Sequence, residues 1–346
     1  MTRLVFAYPG DLDLPTGGYA YDRRLIRELR AAGWEVETLA LGPGFPFPGP
    51  EARAAAEARL SALPDGTTVL IDGLAFGVLD DWALREAGRL AIFALVHHPL
   101  ALEGGQKADV TAALLRSEHR ALSAARGVVV TSPATGREVI RTFRVPEADV
   151  TVALPGTDPA PIALGEGDPP HVLSVGTLIP RKAHDVLVAA LALNADLPWR
   201  ATIIGSRTLH PETAEQVEAQ IAEAGLGDRI RLVGTVSDTR AVMAGADVFA
   251  LASRYEGYGM VFAEALAQGL PIVACAGGAV PEVVPASAGI LAPPDDVPAF
   301  AEALRHILTD RDLRRSLAAG SRAAGAALPS WADTAATIAS FIGSRT

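Results

Sequence analysis

Ser253–Glu264 reads SRYEGYGMVFAE and continues through ALAQGLPIVACAGGAVPEVV to Val284. The apolar run before it, DVFALA at 247–252, has the length of a buried strand, and Met260 to Gln268 reads as a helix that stops at Gly269. Strand, glycine turn and helix in that order put Glu256, Gly257, Tyr258 and Gly259 beyond the C-terminal end of a strand, where open α/β sheets take their ligands. Glycine at 257 and 259 lets the backbone approach a ligand closely. The N–H groups that open the helix, at Met260 and Val261, suit an anion such as a phosphate. Glu264 lies further along the helix among apolar residues, so its carboxylate is expected to face a polar group, and a pair of sugar hydroxyls would serve.

Two glutamates at a fixed spacing are weak evidence alone, because most helix carboxylates are solvated surface. Their flanks carry more. Glu256, seven intervening residues, Glu264, then Gly269-Leu270-Pro271 and Gly277-Gly278-Ala279-Val280-Pro281-Glu282-Val283 resemble the C-terminal signature of retaining glycosyltransferases of family 4. The resemblance covers nearly the whole chain and is strongest from Gly176 to Val284. It implies an α/β protein of the GT-B type, two doubly wound Rossmann-like domains facing each other across a cleft that holds the active site.

Composition is consistent with that division. A chain of 346 residues is long for one ordinary core, so two domains of similar size are expected. Ala, Leu, Val and Gly dominate and aromatics are scarce, which suits helices packed closely on parallel sheets. A net charge of -10 argues against nucleic acid as a partner, since phosphate neutralisation needs clustered Lys and Arg. Peripheral contact with a membrane through a local basic patch stays open. Arg, Asp and Pro interrupt every apolar stretch, so no transmembrane segment is expected. The first residues lead straight into a strand rather than a signal peptide, and Cys275 is the only cysteine. Both point to the cytoplasm.

The halves repeat one alternation. In the first, strands are expected at Arg3–Tyr8, 34–41, 67–72, 90–96 and 127–131, with helices at 19–32, 51–62 and 107–123 and another capped by Ser132. GPGFPFPGP at 42–50 is a loop. In the second, HVLSVG at 171–176, RATIIG at 200–205 and IRLVG at 230–234 read as strands. TLIPRKAHDVLVAAL at 177–191 reads as a loop and a helix, and further helices are expected at 211–224, 237–245, 297–308 and 311–324. Pro and Gly crowd APIALGEGDPP at 160–170, a linker composition. The expected domains are therefore 1–160, a linker at 161–170, and a nucleotide-sugar-binding domain at 171–327. The terminal stretch, 328–346, is amphipathic from Trp331 to Phe341 and resembles the family's last helix, which implies a return to the first domain with Trp331 as anchor.

Several other positions bear on chemistry. Lysine occurs only at 107 and 182, so Lys182 beside Arg181 in a strand-to-helix loop is a candidate for neutralising a diphosphate. Gly17-Gly18 at a helix start suits phosphate but is unspecific alone. His97-His98 closes the 90–96 strand without a third nearby metal ligand.

The resemblance implies a donor site made of Gly17, Gly18, Gly176, Thr177, Gly205, Val236, Gly257, Tyr258, Gly259, Met260, Val261 and Glu264. Thr177 stands where many members have Arg. His97, or His98 after a one-residue shift, would face the donor sugar. Glu103, in the loop 99–105, would touch the acceptor. The catalytic set so implied is His97, Arg181, Lys182 and Glu256. It implies transfer of a hexose from a nucleotide-diphosphate sugar to a saccharide, lipid-linked or small-molecule acceptor, with no obligatory cofactor or metal. An epimerase or phosphorylase of the same architecture, or a non-catalytic sugar-nucleotide binder, are the competing readings.

Overall fold

A computed structural model describes residues 2–103 and 106–346. The chain folds as two units, Met1–Gly156 with Pro329–Thr346, and Thr157–Leu328. Each is built on a six-stranded sheet whose neighbouring strands all run parallel.

The first unit carries strands β1 (Arg3–Tyr8), β2 (Glu35–Ala40), β3 (Thr68–Asp72), β4 (Ala91–Val96), β5 (Gly127–Val130) and β6 (Val150–Val152) in the order β2-β1-β3-β4-β5-β6. Its helices are α1 (Gly17–Ala31), α2 (Pro50–Ser61), α3 (Gly73–Phe76), α4 (Asp80–Glu86), α5 (Ala108–Ser123) and α6 (Pro133–Phe143). Every residue of β4 and β5 is buried, as expected for central strands of a parallel sheet covered on both faces. Strand order reverses direction between β1 and β3, which is where doubly wound sheets open a crevice for ligands.

The second unit repeats the plan with β7 (His171–Val175), β8 (Arg200–Ile204), β9 (Ile230–Gly234), β10 (Val248–Leu251), β11 (Ile272–Cys275) and β12 (Gly289–Ala292), in the order β12-β11-β10-β7-β8-β9. Helices α7 (His184–Ala192), α8 (Pro211–Glu223), α9 (Thr239–Ala244), α10 (Met260–Ala267), α11 (Val280–Val283), α12 (Val297–Thr309) and α13 (Arg311–Ala326) complete it. Here the reversal falls between β7 and β10. The core gathers Val172, Ile203, Val248 and Val273 from the sheet with Leu187, Phe300 and Leu304 from the helices.

Helix α14 (Trp331–Gly343) packs on the first unit. A capping box at Ser330 and Asp333 starts it. Buried Trp331 meets Tyr21 edge-on at 5.4 Å, Arg24 lies over its ring, and Thr334 Oγ1 donates to the Leu154 carbonyl at 2.7 Å.

Some local expectations needed correction. Residues 73–86, unassigned from sequence, hold α3 and α4, the first capped by Asp72, whose carboxylate accepts from the Leu74 N–H. Helix α9 starts two residues later than expected because Asp238 caps it, accepting from the Arg240 and Ala241 N–H groups. In the loop expected at 99–105, Leu100–Leu102 form a 3₁₀ turn held by Glu118 Oε2, which accepts from the Leu100 N–H at 3.0 Å; Gly104 and Gly105 lie outside the described residues. The Pro- and Gly-rich stretch at 157–170 is tied to the second unit. Gly167 N–H donates to Asp247 at 2.8 Å and Ala163 N–H to the Gln268 carbonyl at 2.8 Å, while the Gln268 amide donates to Pro161.

Candidate functional site

In the second unit the two segments that leave the sheet at its reversal point meet. After β7 the chain makes a 3₁₀ turn, Pro180–Lys182, and passes through Ala183 at φ +49° into α7. After β10 it reaches Glu256, whose backbone bridges to Gly278. Gly278 sits at φ +62°, and a Cβ there would stand 2.3 Å from the Glu256 carbonyl oxygen, so only glycine keeps these segments joined.

Lys182 Nζ donates to Glu256 Oε1 at 2.6 Å, and Arg181 Nη1 to Glu256 Oε2 at 3.2 Å and to the Tyr255 carbonyl at 2.8 Å. All three side chains are largely buried, Glu256 at 6 % exposure. Burial alone would push the Glu256 carboxyl up. Lys182 and then Arg181 outweigh it and hold the group at about 2. Glu256 is therefore a fixed anion at neutral pH, able to accept hydrogen bonds from hydroxyls but not to deliver a proton.

Arg254, which the sequence reading passed over, braces this arrangement. Its backbone N–H donates to the Arg181 carbonyl at 2.8 Å, and its guanidinium binds Asp295 at 2.7 Å and Asp185 at 2.8 Å.

The remaining residues of the expected donor set from this unit lie on the segments that follow β7, β8, β9 and β10. Gly176 ends β7, its carbonyl accepting from His184 Nε2 at 3.1 Å, and a Cβ there would sit 3.4 Å from Lys182 Cδ. Thr177 follows it, its carbonyl accepting from the Ile179 N–H at 2.9 Å. Gly205 ends β8 so close to Gly176 that a Cβ would stand 1.8 Å from the Gly176 carbonyl oxygen. Its glycine is thus required by packing between two strand ends whatever binds beside it. Val236 follows β9, half-buried.

Gly257 and buried Tyr258 lead to Gly259, at φ +92°, which opens α10 without a side-chain cap. The amides of Met260 and Val261 thus open a helix whose positive end has no side-chain cap. Glu264, one turn in, is raised to about 7 by burial, with Arg240 pulling down and Asp158 pushing up.

In the first unit the reversal point between β1 and β3 collects a different chemistry. His97 Nε2 lies 3.0 Å from Asp22 Oδ1 on α1 and 3.8 Å from Asp72 Oδ2 at the end of β3. One donor atom from each of the three lies within 4.8 Å of the others. Both carboxyls are buried, and burial raises both; burial lowers His97. Tyr21 meets the His97 ring edge-on at 5.1 Å. Gly18 lies against that ring, a Cβ there falling 3.5 Å from Cδ2, whereas Gly17 faces open space.

His98 turns elsewhere, its Nε2 3.4 Å from Glu103 Oε2. Neither Asp22 nor Asp72 figured among the site residues read from sequence. Asp22 carried a usable signal, since it shares the stripe 22, 25, 26, 29 with Leu25, Ile26 and Leu29, all buried. A carboxylate on the apolar face of a helix calls for a polar partner.

Residues 159–324, nearly all of the second unit, match the family described as Glycosyl transferases group 1. The second unit is a group 1 glycosyltransferase domain. Among curated relatives, a D-inositol 3-phosphate glycosyltransferase of Kineococcus radiotolerans is 32% identical over 71% of this chain and 62% of its own length. A GDP-mannose-dependent alpha-(1-6)-phosphatidylinositol monomannoside mannosyltransferase of Mycobacterium tuberculosis is 31% identical over 57% of this chain and 56% of its own. The chain spans about three fifths of the length of these relatives. Of solved structures, a sucrose-phosphate synthase from Thermosynechococcus elongatus superposes with a TM-score of 0.84 at 24% identity, covering 99% of both chains. HepE of Anabaena, in complex with UDP and glucose, gives 0.76 at 19%, over 98% of this chain and 99% of its own. These likenesses establish the fold of the chain as GT-B. Among the described residues no helix is long and apolar enough to cross a membrane.

Proposed function

We propose that this protein is a retaining, metal-independent glycosyltransferase that moves a hexose from a nucleotide-diphosphate sugar to a hydroxyl of a saccharide, lipid-linked or small-molecule acceptor. The observation that carries the reading is the Arg181–Lys182–Glu256 trio at the reversal point of a sheet within the matched stretch 159–324. Two fixed cations beside an uncapped helix start are what a departing diphosphate needs, because charge builds on its oxygens as the glycosidic bond breaks. Glu256, charged throughout the neutral range, accepts hydrogen bonds from hydroxyls of the transferred sugar. Glu264 takes the ribose hydroxyls, and Gly205 and Val236 line the base. His97 of the first unit meets the sugar, and Glu103 with His98 meets the acceptor.

In this reading the acceptor oxygen attacks from the side the diphosphate leaves. The C–O bond to the phosphate breaks with its electron pair on oxygen, and the acceptor proton passes to that oxygen. Names among the relatives and solved structures support the donor class, since they include a GDP-mannose-dependent enzyme and a complex with UDP-glucose. A single buried cysteine supports a reducing, cytoplasmic setting.

The test is release of nucleoside diphosphate from a panel of UDP- and GDP-hexoses, with and without acceptors, in buffer containing EDTA. Acceptor-dependent release, with product of the donor's own anomeric configuration by NMR, is expected. Release without acceptor, an epimerised donor, or donor binding without turnover across the acceptor panel would each overturn the reading.

A further inference from the structure

The pair of buried carboxylates beneath His97 has no place in the role assignments above. Asp22 is fully buried, and its Oδ1 takes the His97 Nε2 contact. Its Oδ2 is buried with no hydrogen-bond donor. The Asp22 and Asp72 carboxyls lie within hydrogen-bonding reach of one another, and Asp72 Oδ1 already accepts from the Leu74 N–H at 2.6 Å. Two carboxylates cannot bond one another unless one carries a proton, and two unprotonated ones in so dry a place would repel strongly. Among the described residues, the ion pairs of these two carboxyls are those with His97. Besides His97, the charged and titratable groups that interact with the pair are Arg23, Tyr19 and Tyr21, all on α1.

We propose that Asp22 and Asp72 share one proton and act as positioning residues that hold His97 in its Nε2–H form, presenting the Nδ1 lone pair as a fixed hydrogen-bond acceptor. The inference rests on the glycosyltransferase reading for what Nδ1 accepts from, a hydroxyl of the transferred sugar. It does not rest on that reading for the tautomer. With Nε2 donating to Asp22 Oδ1, the imidazole is neutral and its other nitrogen carries the lone pair. His97 keeps 21 % of its side chain exposed, so that nitrogen has an outlet. A neutral acceptor positions a hydroxyl, where an imidazolium would instead repel positive charge developing at the anomeric carbon. The edge-on Tyr21 ring and the close Gly18 backbone fix the ring plane.

The test pairs spectroscopy with kinetics on the full chain. With ¹⁵N-histidine labelling, and the His97 signals assigned by their loss in His97→Gln, the wild type at pH 7 is expected to show a protonated Nε2 and an unprotonated Nδ1. An Nδ1–H form or an imidazolium would overturn the proposal, and this readout needs no turnover. If the wild type shows this tautomer but no acceptor-dependent transfer, the glycosyltransferase reading fails while the proton-sharing pair stands.

Asp22→Leu removes the acceptor of the Nε2–H and is expected to scramble the tautomer and lower kcat by roughly tenfold to a hundredfold, with the donor KM within about threefold. Asp22→Asn keeps an oxygen for His97 and offers an N–H to Asp72 in place of the shared proton, so it is expected to restore the wild-type tautomer and most of the rate. An Asn variant as impaired as Leu would mean that a negative charge, not a shared proton, is what His97 requires. Should Asp22→Leu fail to fold, the wild-type and Asn spectra decide alone. Broadening of the His97 signals by sub-millimolar Mn²⁺ would mean a cation occupies the place assigned to the proton, and would also overturn the proposal.

Discussion

Glu256→Gln is the substitution whose consequence follows most directly from the structure. The Glu256 carboxyl is held at about 2 instead of its ordinary 4.5, burial opposing and Lys182 and Arg181 prevailing. Each pH unit of such an interval corresponds to about 1.4 kcal/mol, so the charged carboxylate contributes roughly 3 kcal/mol to the second unit at neutral pH. Because the folded group is the stronger acid, the contribution is fully present above pH 4.5 and is lost as pH falls through 2. Glutamine keeps the shape but removes the negative charge that Lys182 and Arg181 face at this position.

The assay is denaturant-dependent hydrogen exchange read at peptides spanning β7 and β10, which reports the second unit by itself. The expected loss at pH 7 is about 3 kcal/mol, narrowing steadily below pH 4. Adding a nucleoside diphosphate is expected to recover more stability in the variant than in the wild type, since phosphate oxygens would supply the missing negative charge. Equal stability of the two proteins at pH 7, or a gap indifferent to acid, would refute the reasoning.

Three further outcomes follow from other parts of the molecule. Gly205→Ala places a Cβ 1.8 Å from the Gly176 carbonyl oxygen, and a cost of about 4 kcal/mol or more is expected as a loss of soluble second unit in limited proteolysis. Glu264 is raised to about 7 by burial, so affinity for a nucleoside diphosphate is expected to climb between pH 6 and 8 as the carboxylate forms. Calorimetry on Glu264→Gln should show that climb abolished. Trp331→Ala removes a buried ring held by Tyr21 and Arg24, and a loss of about 3–5 kcal/mol from the first unit is expected, visible as protease cleavage before α14.

The architecture was legible because each half carries its own punctuation. Gly33 and Gly269, both at positive φ, end α1 and α10 where the sequence places a stop. The buried strands β4 and β10 are unbroken apolar runs. Glu256 and Lys182 stood out because their neighbours form a dense local signature, though nothing local says that they touch across 74 residues. That contact comes from strand order, which puts β7 beside β10.

Asp22 and Asp72 were passed over for the converse reason. Each has an ordinary local reading, a charge beside two arginines on a helix and a cap at the end of a strand, and only the β1–β3–β4 neighbourhood gives them a common partner in His97. The helices at 73–86 were missed because α3 and α4 are too short to show a clear period.

The central claim, that Arg181 and Lys182 grip the diphosphate of an activated sugar, is tested most directly by titration calorimetry of UDP and GDP against the wild type, Lys182→Ala and a double variant that also carries Arg181→Ala. The account expects one of the nucleotides to bind the wild type, at least tenfold weaker binding on loss of Lys182, and none measurable on loss of both. Binding to the double variant as tight as to the wild type would contradict it.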